Sequence, residues 1–93
     1  MKLIGFAHAL PKAGVLTMKA ACHVEEGCQI MVEGVSGVHT VDSLQVEYEN
    51  RRQISRGTNF ALMSSTLNVN QVGHNKPVFL VEEGDIQAIL RQA

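Results

Sequence analysis

Along this chain the spacing of apolar residues alternates between the two-residue repeat of a strand and the three-to-four-residue repeat of a helix. Residues Lys2 to His8 form a short apolar run bounded by Pro11, which predicts a first strand. From Val15 to Glu26 the period lengthens. Val15, Met18 and Cys22 fall on one helical face, Lys19, His23 and Glu26 on another, and Gly27 supplies a stop, so an amphipathic helix is expected there.

Cys28 to Glu33 reads as a strand, followed by a turn through Gly34 and Gly37. Leu44, Val46 and Tyr48 then alternate with Gln45, Glu47 and Glu49, as in a strand with one wet face. Glu49 to Arg52 is expected to turn the chain back through Gln53, Ile54 and Ser55 to Gly57. Thr58 is placed to cap a short helix over Asn59 to Leu67, because Phe60, Met63 and Leu67 share a helical face. The polar stretch Asn68 to Lys76 reads as a loop. Val78 to Val81 is a continuous apolar run, expected as a central strand buried on both faces. Asp85 is expected to cap a last helix whose apolar stripe is Ile86, Ile89 and Leu90.

The elements therefore run strand-helix-strand-strand-helix-strand-helix with an added hairpin. They predict an α+β open-faced sandwich, an antiparallel sheet with helices on one face, as a single domain over residues 1–93. Forty-five percent apolar and eighteen percent charged residues agree with a compact fold and exclude the composition of disordered chains.

A formal charge of -1, one Tyr, three Phe and no Trp give no electrostatic or stacking argument for nucleic acid. His8 and Pro11 interrupt the opening apolar run before a signal-peptide core forms, and no stretch approaches the roughly 20 apolar residues of a membrane helix. A cytoplasmic protein with neither nucleic-acid nor membrane partners is expected. Cys22 and Cys28, the two cysteines, make a poor disulfide framework and are expected as free thiols.

Two segments carry a family resemblance. Ser55-Arg56-Gly57-Thr58-Asn59-Phe60-Ala61-Leu62-Met63-Ser64-Ser65, and Val81-Glu82-Glu83-Gly84-Asp85 before an apolar stretch, are similar to the approaches to the second and last helices of the histidine-containing phosphocarrier (HPr) family of the bacterial sugar phosphotransferase system. About two thirds of the chain can be laid on that family. The resemblance implies a phosphohistidine at the first helix's N-terminus, charged by enzyme I, and docking to phosphotransferase-type protein partners without a cofactor. One alignment sets His8-Ala9-Leu10-Pro11 on the family's glycine-leucine-histidine-x-arginine-proline signature, with Leu10 in place of the arginine. The other sets Val15 or Leu16 at the acceptor position.

His8 is thus the candidate acceptor, since unpaired helix amides stabilise added negative charge, and Lys12 is the candidate phosphate-stabilising cation. Thr58 aligns with a regulatory serine of some family members, and its plain reading is an N-cap. Arg51, Arg52 and Arg56 form the one basic cluster, suited to docking an acidic partner or a phosphate, or to lying solvated on a hairpin tip. Cys22, His23, Cys28 and His39 are metal-ligand types, but their spacing matches no structural zinc pattern, so no metal is expected. No phosphate loop or nucleophile elbow is present, so a self-contained enzyme is not expected, and the resemblance implies a phosphoryl carrier instead. The competing reading is a non-catalytic interaction module, with homo-oligomer formation open to it through the hairpin around Leu44, Val46 and Tyr48.

Overall fold

The computed structural model describes residues 1–85. The described residues form ten strands: β1 (Lys2–Leu10), β2 (Val15–Lys19), β3 (Val24–Glu25), β4 (Gln29–Val32), β5 (Val35–Thr40), β6 (Ser43–Val46), β7 (Glu49–Arg51), β8 (Gln53–Ile54), β9 (Asn59–Met63) and β10 (Lys76–Val81). Eight of them form one antiparallel sheet in the order β5-β4-β10-β1-β2-β9-β6-β7, while β3 and β8 pair separately. A 3₁₀ turn at Val69–Gln71 and a helical turn at residues 83–85 are the helical pieces among the described residues.

The expected α+β sandwich is therefore corrected to a mainly β fold. Both internal helices are strands. The helix placed over Val15 to Glu26 is β2, a bend and β3. Its helical fit omitted Leu16, which is fully buried, and Leu16 with Met18 follows the strand period, leaving Thr17 and Lys19 on the other face. The helix placed over Asn59 to Leu67 is β9 and a turn. Phe60 and Leu62 point into the core while Met63, assigned to the same helical face as Phe60, is exposed on the opposite side. Short apolar runs fit both periods, and hydrogen bonding on both sides decides for the strand: β9 pairs with β2 and β6, and β2 with β1 and β9.

The turn expected at Glu49 to Arg52 lies two residues earlier, at Glu47 and Tyr48, and Glu49–Arg51 is β7. β10 is central, between β1 and β4, and contains the run Val78 to Val81. Val78 is fully buried there, whereas Phe79 and Leu80 are half-buried. Asp85 acts from inside the terminal helical turn: its Oδ2 accepts the Glu82 amide at 3.1 Å, as the third residue of a capping box does for the cap. Its Oδ1 lies 3.3 Å from the Met1 amino group. Ile86, Ile89 and Leu90 of the expected last helix lie outside the described residues.

The sheet curls because β5 runs into β6 through Val41 and Asp42 alone, although β5 pairs with β4 and β6 with β9. The Val41 amide donates to Cys28 O at 2.9 Å and the Asp42 amide to Met63 O at 2.8 Å, so this corner ties the two sides of the sheet together. Ile4, Leu16, Ile30, Leu44, Leu62 and Val78, one from each of six strands, meet inside the curl fully buried. Each contributes about 2 kcal/mol of apolar burial. Gly5 permits the closest crossing: a Cβ there would stand 2.7 Å from the Lys19 carbonyl oxygen.

Candidate interaction groove

The outer face of the same strands carries a groove whose floor follows from the register. His8 pairs with Thr17, Thr17 with Ala61, and Ala61 with Gln45, giving one row of outward residues across β1, β2, β9 and β6. Leu10, Val15, Met63 and Ser43 form the next row, and Lys19 with Asn59 the row on the other side. Small and polar side chains in the middle leave a trough. Phe6 and Leu10 of β1 raise one wall, and the β6–β7 hairpin raises the other, enclosing about 1020 Å³ open to solvent.

The hairpin wall ends in an unusual turn. Val46 pairs with Glu49 across two residues, Glu47 and Tyr48, whose φ angles are +51° and +68°. Two successive positive φ values make this a type I′ turn, which favours Asn-Gly because it costs roughly 1–2 kcal/mol for each residue bearing a Cβ. Here the turn holds an aromatic side chain 98% exposed. Gln45 Nε2 donates to Asn50 Oδ1 at 3.2 Å, bracing the hairpin across its two strands.

The groove concentrates exposed apolar surface. Among the described residues the exposed large hydrophobics are Met1, Phe6, Leu10, Tyr48 and Met63, and all but Met1 line it. Two charges line it as well, Lys19 and Glu47, and neither has an ion-pair partner among the described residues.

The residues expected to carry chemistry are scattered. His8 lies within β1, at no helix N-terminus; its ring contacts that of His74, with centroids 4.8 Å apart and planes at 58°. Its carbonyl accepts the Thr17 hydroxyl at 3.3 Å. Lys12 is exposed in the β1–β2 turn and does not line the groove. Thr58 caps no helix: it sits in the tight connection from β8 to β9, where its amide donates to Ser55 O at 3.1 Å and its carbonyl accepts the Ala20 amide at 2.9 Å.

The three arginines do not converge. Arg51 pairs with Glu49 at 3.3 Å in solvent, an interaction worth little. Arg52 borders a separate shallow cleft with Glu25, Glu26 and Asp42, and Arg56 is exposed in the turn at residues 55–57. Cys22 is buried and Cys28 half-buried, both as free thiols, and burial pushes the Cys28 thiol above its ordinary value. His39 joins β5 to the turn after β9, with Nδ1 2.9 Å from Thr66 Oγ1 and Nε2 3.1 Å from Ser36 O. No group of three or more metal-ligating side chains occurs among the described residues.

Phe6, Leu10 and Met63 were missed by the sequence reading, although β1 carried a signal. Ile4 and Ala7 account for the buried face, so Phe6 and Leu10 are apolar residues left over on the outer one. No family model matches the chain and no curated protein is significantly similar to it. Among the described residues, no helix is long and apolar enough to cross a membrane.

Proposed function

We propose that this chain is a non-catalytic protein-interaction module that works through the groove between β1 and the β6–β7 hairpin. The observation that carries the reading is the convergence of Phe6, Leu10, Tyr48 and Met63 on one trough, since exposed apolar side chains gathered in a patch mark a contact surface whereas scattered ones do not. An aromatic held outward on a costly turn points the same way: local strain is retained where function requires it.

A protein partner fits the chemistry better than nucleic acid. The groove balances one lysine against one glutamate and offers no basic stripe for a phosphate backbone. Phosphoryl transfer through His8 has no set of helix amides to stabilise it, because His8 is paired within β1. The α+β phosphocarrier architecture is replaced by the curled sheet.

Selection of displayed peptides on the immobilised protein, followed by amide-shift mapping, tests this reading. Bound peptides are expected to perturb Thr17, Ala61 and Gln45 and to lose binding to Ala61→Arg, which fills the floor without entering the core. Peptides that bind the folded Ala61→Arg protein unchanged would refute it.

A further inference from the structure

We infer that the occupant of the groove is a second copy of this chain, bound face to face about a two-fold axis lying along β9; this rests on the groove being the working surface. The register supplies the argument. β2 and β6 are the two neighbours of β9, one strand spacing to either side. Lys19 on β2 pairs with Asn59 on β9, and continuing the β6–β9 ladder from Gln45 and Ala61 brings Glu47 level with that same Asn59. Lys19 and Glu47 therefore stand on one line across the sheet, with backbones about 10 Å apart and equidistant from β9, and no ion pair joins them within one molecule.

Rotation about an axis along β9 exchanges those two positions. Lys19 of each copy then lies over Glu47 of the other, so two charges without an ion-pair partner among the described residues are matched twice by a single operation. The same rotation carries Tyr48, just outside β6, to a point just inside the partner's β1, above the row that begins with His8 and Thr17. There the tyrosine ring meets the inner side of the Phe6 wall, and the two small floors at Ala61 face each other across the axis. A surface that supplies both the projecting aromatic and its receptor, with charges in mirror positions, is self-complementary, as an isologous interface must be. Charges placed this way set register and choice of partner more than raw affinity.

The test is a charge exchange read by sedimentation velocity over a concentration series, with circular dichroism confirming the fold of each variant. The wild-type chain is expected to pass from monomer to dimer with rising concentration. Lys19→Glu alone and Glu47→Lys alone each place two like-charged contacts in the interface and are expected to weaken it about tenfold or more. Mixed in equal amounts, the two variants are expected to dimerise again, because the two acidic positions of the first then face the two basic positions of the second, restoring both opposite-charge contacts. Native mass spectrometry would show the mixed species in excess over either homodimer.

A wild-type chain monomeric at every concentration, or dimers indifferent to both reversals, or a mixture that fails to recover, would overturn the two-fold arrangement. Failure here is separable from failure of the interaction reading: a monomeric chain whose selected peptides still map to Thr17 and Ala61 keeps the groove as a docking site and loses only the identity of its occupant.

Discussion

Two tight hairpins in this fold span the same number of residues with opposite chemistry. Between β4 and β5, Val32 pairs with Val35 across Glu33 and Gly34, and the left-handed position, φ +84°, is held by glycine. Between β6 and β7, Val46 pairs with Glu49 across Glu47 and Tyr48, and both left-handed positions are held by residues with side chains. The first turn uses the residue its backbone asks for. The second accepts a backbone cost of roughly 1–2 kcal/mol per residue, and what it gains is a tyrosine almost wholly in solvent beside an apolar trough. Local strain thus separates a connection that only joins strands from one that presents a side chain.

The largest effect on this contrast is expected from removing the anchor of the strained hairpin. Leu44 is fully buried at the base of β6, so Leu44→Ala should destabilise the protein by about 3 kcal/mol in urea titration, with the slope unchanged. A smaller loss would mean that the hairpin stands apart from the core. Next come two substitutions of opposite sign in equivalent turns. Gly34→Ala has open space around its new methyl group, so its cost is backbone alone, and about 1–2 kcal/mol of stability should be lost. Tyr48→Gly should instead stabilise the monomer by about 1 kcal/mol while abolishing groove binding, both read on dilute protein. If Tyr48→Gly destabilises the monomer, the ring is packing locally and the strain argument fails.

The smallest effects are those of pH. Burial raises the Cys28 thiol above its ordinary value of 9.0, so its contribution is fully present below that value and is lost as pH rises through the folded one. Cys28 should alkylate more slowly than a free thiol at pH 8, and Cys28→Ser should flatten the alkaline decline in Tm. For Asp85 the sign is reversed. The Glu82 amide bond, and after it the Met1 amino group, lower its carboxyl below the ordinary 3.8; its contribution is present above that value and fades as pH falls through the folded one. Asp85→Asn should remove that acid-side slope in Tm and lower Tm slightly at neutral pH, where the carboxylate's contribution is present, converging with the wild type in acid.

Much of the strand content was legible. β1, β4 and β10 fall where short apolar runs lie between turn residues, and Gly34 marks its turn by composition. β2 and β9 were not. Val15, Met18 and Cys22 are all buried, as a helical stripe would be, but Val15 lies on the outer face of β2 and Cys22 in the bend beyond it. Spacing records burial without recording which partner does the burying. The turn at Glu47 and Tyr48 was hidden for a related reason, since neither residue favours positive φ and Tyr48 continued the alternation of Leu44 and Val46. Of the proposed groove, the hairpin and its tyrosine were legible as a candidate contact surface, through the alternation of Leu44, Val46 and Tyr48. The wall at Phe6 and Leu10 and the floor at Thr17 and Ala61 were not, because they come from strands far apart in the chain.

By itself the sequence determined a compact chain with near-neutral charge, free thiols, and apolar runs long enough for short strands. These are properties of composition and of neighbours a few residues apart. The tertiary structure alone decided that the ambiguous runs would be strands, because each found a hydrogen-bonding partner on either side within one sheet. It also decided the site, because the register between β1, β2, β9 and β6 sets Lys19 and Glu47 in line and gathers four distant apolar side chains around one trough.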